Sequence, residues 1–313
     1  MNKSSVKKLN TATAAGAAAV LIWAFVPSVK RLLTEGLAMF FSGGISGVFA
    51  GLVMLVQHMR RGGMRPLRSI SARYWVLCAL PHFIYSLANI LYAGLAVTRE
   101  GAIVAGLFAS LWPLTTLIFT VLIMKVPVKK VFWAFCALSV VGVILAGAGD
   151  GFEALLAALL DNAWAIFFGI VSPVCWGIYS GFYCEIVRDV RDDHVAWLTI
   201  VSGVFQLIMS VLVRERIGVI GVTEIGCLVF QGLFSSVLAT LLWNYAMRDD
   251  SRMASIVFSN FTPVLQVICS CALLGVKLTW QMLLGAGIVV AATVCAERCM
   301  GKGTEADKVI NVA

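Results

Sequence analysis

Charge is scarce in this sequence: Asp, Glu, Lys and Arg make up 13% of its 313 residues, against 60% hydrophobic residues. So little polar surface cannot cover a soluble globule, and the composition excludes one. No pair of carboxylates stands mid-run, because Glu100, Glu185 and Glu297 lie near the ends of apolar runs. There are three histidines, and His82 reads as the one ionisable side chain deep in a run. An intramembrane hydrolase or lipid transferase needs acids, a His and Asp pair, or metal ligands at depth, so the chain reads as a non-enzyme without a metal. No Gly-rich phosphate signature is present, which excludes ATP as the energy source and implies no cofactor. Nine cysteines lie in or at the ends of apolar runs and none forms a CxxC pair, leaving them as packing residues.

What the chain does have is length and apolar periodicity. Runs at about 11–33, 37–57, 74–97, 102–124, 129–149, 163–186, 195–213, 222–247, 253–274 and 279–299 predict ten transmembrane helices, each needing roughly 20 residues to cross a bilayer core. The net charge of +8 sits between the runs, so it reports topology rather than nucleic-acid binding. With the N-terminus cytoplasmic, 18 of 24 basic residues fall inside, and six, Lys30 and Arg31 among them, fall outside. Both termini are therefore expected in the cytoplasm. Lys3, Lys7 and Lys8 precede the first run as in a signal peptide, but no cleavage site with a polar mature domain follows, so the first span is read as retained.

The two halves overlay. Trp23-Ala24 answers Trp176-Gly177, Leu87-Ala88 with Leu91-Tyr92 answers Leu238-Ala239 with Leu242-Trp243, and Pro113 answers Pro263. Five spans per half is an odd number, which inverts the second half relative to the first, as in many secondary transporters. The expected fold is an all-α membrane protein of two inverted five-helix repeats, residues 1–149 and 150–300, with a short cytoplasmic tail at 301–313. Mid-run prolines remove a backbone donor and are tolerated where protein or a wet cavity satisfies the freed carbonyl. Pro113, Pro263, Pro27 and Pro173 are therefore candidate hinges. Spans 5 and 10, with Gly142, Gly147, Gly285 and Gly287, read as closely packed supports outside a central cavity.

Polar faces mark candidate cavity walls. In span 3, His82, Tyr85, Asn89 and Tyr92 recur every three or four residues and share one arc of a helix. Span 6 repeats the device with Ser172, Trp176, Tyr179 and Tyr183, and span 8 carries Ser236, Thr240 and Asn244 beside Trp243. Span 9 offers two faces, one with Ser255, Ser259, Thr262 and Gln266, the other with Asn260 and Pro263. Such faces also serve as polar glue between helices. A lone buried histidine is more often neutral and hydrogen-bonded, which weighs against proton coupling through His82.

Several of these residues form a pattern that resembles the EamA-type, ten-span branch of the drug/metabolite transporter superfamily, and within it bacterial aromatic amino acid exporters. The likeness rests on Trp23, Leu111-Trp112-Pro113 with Leu114 and Thr115, Val141-Gly142-Val143, Trp176-Gly177 with Tyr179, Trp243-Asn244, and Phe261-Thr262-Pro263-Val264-Leu265. Two positions depart from those exporters. Ala109-Ser110 replaces an Asn-Tyr pair and Asn260 replaces a tyrosine, so aromatic surface is missing from the midplane.

The sequence thus predicts an inner-membrane, multi-pass secondary transporter working by alternating access. The resemblance favours an aromatic or other hydrophobic amino acid as substrate, by export or facilitated diffusion. The alternatives are an importer or exchanger of a nucleotide-derived or cationic metabolite, and a non-transporting scaffold or receptor. Candidate substrate-binding residues are Trp23, His82, Tyr85, Asn89, Ser110, Trp112, Trp176, Tyr179, Trp243, Asn244, Asn260 and Gln266. The expected partners are a small-molecule substrate and the lipid bilayer, not nucleic acid, with a monomer as the working unit.

Overall fold

The computed structural model describes residues 3–60, 63, 71–148, 151–186, 194–247 and 258–300. Basic residues used above for topology at 61, 65, 68, 188, 191, 248, 252, 302 and 308 lie outside the described residues, as do Ser255, the 301–313 tail and the side chain of Asn244. Among the described residues the chain is helical, with one isolated bridge between Val128 and Met300. Its helices, in order, are α1 Lys3–Ala24, α2 Val26–Leu37, α3 Met39–Arg60, α4 Ala72–Gly94, α5 Arg99–Ala109, α6 Trp112–Met124 and α7 Val131–Gly147. They continue with α8 Phe152–Asp161, α9 Ala163–Ile186, α10 Val195–Leu212, α11 Val222–Trp243, α12 Thr262–Leu274 and α13 Trp280–Arg298.

Among the described residues, eight helical units are long and apolar enough to cross a membrane, and α7 and α12 are shorter apolar helices. Large aliphatic and aromatic side chains such as Val140, Val141 and Ile144 on α7 and Leu283 and Leu284 on α13 are exposed. Outward apolar surface of this extent is what contact with lipid requires, and helices satisfy their backbone polar groups internally there.

The structure corrects two boundaries. The first unit runs to Leu37 rather than 33, because the turn at Phe25 is followed by Pro27 in the first turn of α2, where its missing donor costs nothing and the helix restarts. Lys30 and Arg31, counted above with the outside basic residues, lie in helix α2 of this unit rather than between runs. The segment left between the predicted runs, at 150–162, contains α8, whose Ala- and Leu-rich sequence favours helix.

α7 and α13 form a close pair. A Cβ on Gly142 would stand 2.8 Å from the Gly285 carbonyl, so the two backbones meet where both residues lack side chains. Ser139 Oγ lies 3.5 Å from Thr293 Oγ1 across the same interface.

One end of the bundle is laced by polar contacts. Arg31 Nη1 donates to the carbonyls of Ala93 (3.0 Å) and Ala96 (2.6 Å) at the end of α4. Glu35 accepts from Arg31 and from Arg99, whose Nη1 also donates to the Leu274 carbonyl ending α12. Guanidinium groups at helix C-termini satisfy orphan carbonyls and complement the negative end of the dipole. At the same end Glu215 accepts from the backbone N–H groups of Phe40 and Phe41, and Asn162 Oδ1 from that of Val97.

Candidate functional site

Two helix interruptions sit at matching places in the two halves. Between α5 and α6 the chain turns at Ser110 and Leu111, and before α12 it turns at Asn260 and Phe261, with Pro113 and Pro263 in the first turn of the helix that follows. Each turn is closed by its own hydroxyl: Ser110 Oγ donates to the Leu107 carbonyl at 2.7 Å, and Thr262 Oγ1 to the Ser259 carbonyl. Pro173, by contrast, lies inside α9, which runs unbroken from Ala163 to Ile186. Its carbonyl accepts from Thr115 Oγ1 at 2.6 Å, tying α9 to α6.

Around these turns the rings gather into one chain of contacts. Trp243 of α11 stands 5.6 Å from Trp23 of α1, Trp23 is 6.4 Å from Trp112 of α6, and Trp112 is 6.4 Å from Trp176 of α9. Trp176 continues to Tyr85 of α4 at 4.8 Å and to Tyr179 at 5.5 Å, and Tyr179 meets His82 at 5.1 Å. The inclined and edge-to-face geometries are those aromatic quadrupoles favour. Trp23 is held by its indole N–H, which donates to the Ser235 carbonyl at 3.2 Å. Ser235 lies in the widened, π-type stretch Phe230–Ala239 of α11, and a shorter one, Trp75–Ala79, occupies α4 before Pro81. Windings of this type recur at functional positions.

Seven of the sequence-predicted residues, Trp23, His82, Tyr85, Trp112, Trp176, Tyr179 and Trp243, thus meet in that chain. Asn89 stands one turn above Tyr85, with Nδ2 donating to the Tyr85 carbonyl and to Ser172 Oγ, both at 3.0 Å. Ser110 turns its hydroxyl into its own helix. Asn260 is buried toward Glu297 of α13. Gln266 lies on the Thr262 and Ser270 face of α12, which looks toward α2, where Ser270 Oγ is 2.8 Å from Ser28 Oγ. A separate cavity of about 530 Å³ opens among Arg73, Phe119, Leu122, Ile123, Ile178 and Phe182, at the end of the bundle opposite the Arg31, Glu35 and Arg99 contacts.

Lys30 joins His82 as an ionisable side chain buried inside the bundle. It is 9% exposed, its ammonium donates to Asn89 Oδ1 at 2.9 Å, and it stands 6.0 Å from the centre of the Tyr92 ring. Burying an ammonium without a counter-ion is costly, which makes its position chemically meaningful.

The rings come from five separate helices in both halves, and both halves also match one family profile. Residues 11–148 and 163–297 match the EamA-like transporter family. The chain belongs to the EamA-like transporter family. It is accordingly a multi-pass membrane transporter of the inner membrane. An uncharacterized transporter of Bacillus subtilis, YyaM, is 26% identical over 79% of this chain and 80% of its own. The aromatic amino acid exporter YddG of Escherichia coli is 23% identical over 89% and 94%, and the uncharacterized inner membrane transporter YedA of Escherichia coli is 23% identical over 88% and 86%. A solved structure described only as the crystal structure of a protein matches with a TM-score of 0.65 at 19% identity, covering 92% of this chain and 98% of that one, which shows a shared fold.

Proposed function

We propose that this EamA-family transporter carries a small amphipathic metabolite, with aromatic or other hydrophobic amino acids favoured, by export or facilitated diffusion. The observation that carries the reading is the continuous chain from Trp243 through Trp23, Trp112 and Trp176 to Tyr179 and His82, which offers flat apolar surface beside two helix turns. Likeness to an exporter of aromatic amino acids supports the substrate class. In this reading residues 1–149 and 150–300 are two inverted five-helix repeats making ten spans, with both termini cytoplasmic. Access alternates as helix halves rock about Pro27, Pro113, Pro173 and Pro263.

Purified protein in liposomes should give saturable phenylalanine and tryptophan flux down an imposed gradient, each competing with the other. Binding of these ligands without any flux would remove the carrier reading.

A further inference from the structure

Lys30 takes no part in the ring contacts, yet it sits one helical turn from them. The neighbouring Arg31 is fixed outward, on the Ala93 and Ala96 carbonyls and on Glu35. Lys30 points instead to Asn89. Its side chain is therefore not snorkelling to the surface, as lysines near span ends ordinarily do.

An ammonium carries three protons. Asn89 Oδ1 takes one and the Tyr92 face provides a second contact, while no carboxylate among the described residues lies within ion-pair distance. Asn89 is itself oriented. The Tyr85 carbonyl can only accept, so the amide nitrogen must face it, and the amide oxygen is turned toward Lys30. The ammonium is thus held by a bonded partner that spans α4 and reaches Ser172 of α9, and it keeps unused donors.

We propose that Lys30 is the anion-recognition residue of the transport site, binding the carboxylate of a monoanionic or zwitterionic substrate. The apolar part of that substrate lies one turn away, on Tyr85 and Trp176. This rests on the carrier reading above and deepens it. One turn of α4 separates Asn89 from Tyr85, about 6 Å of axial rise, which is the scale of the distance from carboxylate to ring in an arylalkanoate. The single ammonium suits one negative charge. Arg31 and Arg99 are already met by Glu35, so a phosphate dianion would be under-neutralised, and an organic cation would be repelled.

The test is calorimetric titration of full-length protein in detergent with 3-phenylpropanoate, phenylalanine, phenethylamine and phenyl phosphate. Wild type should bind the first two in preference to the last two. Lys30→Met should weaken both by at least about tenfold, as expected for a charged hydrogen bond, while Lys30→Arg stays within about threefold. Without ligand, Lys30→Met should melt no lower than wild type, since it removes a buried charge that has no counter-ion. Should it fail to fold, Asn89→Asp decides, because it places a resident carboxylate against the ammonium and should abolish binding of 3-phenylpropanoate. Equal affinity of wild type and Lys30→Met for 3-phenylpropanoate overturns the assignment of Lys30. Tighter wild-type binding of phenethylamine or phenyl phosphate overturns it as well. In each of those cases persistent liposome flux leaves the carrier reading standing, whereas absence of flux for every aromatic probe removes both.

Discussion

Trp176→Ala is expected to lower the saturable flux of aromatic amino acids in liposomes at least tenfold, with the protein still folded. Trp176 is the branch point of the ring chain, touching Tyr85, Trp112 and Tyr179 at 4.8, 6.4 and 5.5 Å. No other ring joins the Trp23 and Trp112 side to the Tyr179 and His82 side among these contacts. Substituting alanine removes both the stacking surface and the continuity. Its helix stays in place because it is held by other contacts: the Thr115 hydroxyl on the Pro173 carbonyl, and backbone packing where Gly169 admits the Ala105 carbonyl and Gly177 admits Thr115. Trp176→Phe should retain most of the flux. Normal transport by the alanine variant, with unchanged elution and circular dichroism, would remove Trp176 from the site.

The largest effect on stability is expected from Gly285→Val. A Cβ at Gly285 would fall inside van der Waals contact of the Ala146 nitrogen and the Gly142 carbonyl, both backbone atoms that cannot rotate away. Overpacking of a close interface typically costs 1–3 kcal/mol, and more where only backbone can yield. We expect a fall in apparent melting temperature of about 10 °C or failure to accumulate. Gly287→Val, two residues along the same helix, is the matched control, since nothing lies within 4 Å of a Cβ there. Equal thermal stability of the two variants would contradict the α7–α13 packing described above.

Sequence made some of this legible and hid the rest for physical reasons. The ring faces of α4 and α9 were readable because spacings of three and four residues place side chains on one arc whatever the tertiary fold. The turns before Pro113 and Pro263 were readable because proline is a covalent constraint. Pro173 shows the limit of that logic: a proline within a helix braced by Thr115 and by glycine contacts need not interrupt it. Lys30 was hidden because a cation near the end of an apolar run looks like a loop residue. The structure shows that the chain stays helical past it, to Leu37, and that its ammonium turns to Asn89. Position 110 was chosen for what the exporters place there, whereas the serine found here serves its own helix turn. The two faces of α12 could not be ranked from polarity. Contact with Ser28 turns the Ser270 face toward α2, and Asn260 lies toward Glu297.

The loose winding of α11 also bears on how this gene can change. A π-type stretch holds more residues per turn than an α-helix, the usual trace of an inserted residue, and Phe230–Ala239 is wound in this way. Loss of one codon there can be absorbed by tightening the coil, leaving Trp243 facing Trp23. The same loss within α9 has no slack to draw on. It would swing Trp176 by about 100° relative to Tyr183, the angular step of one α-helical residue. Deletions should therefore survive in one helix of the ring chain and be eliminated from another, although both contribute a tryptophan to it.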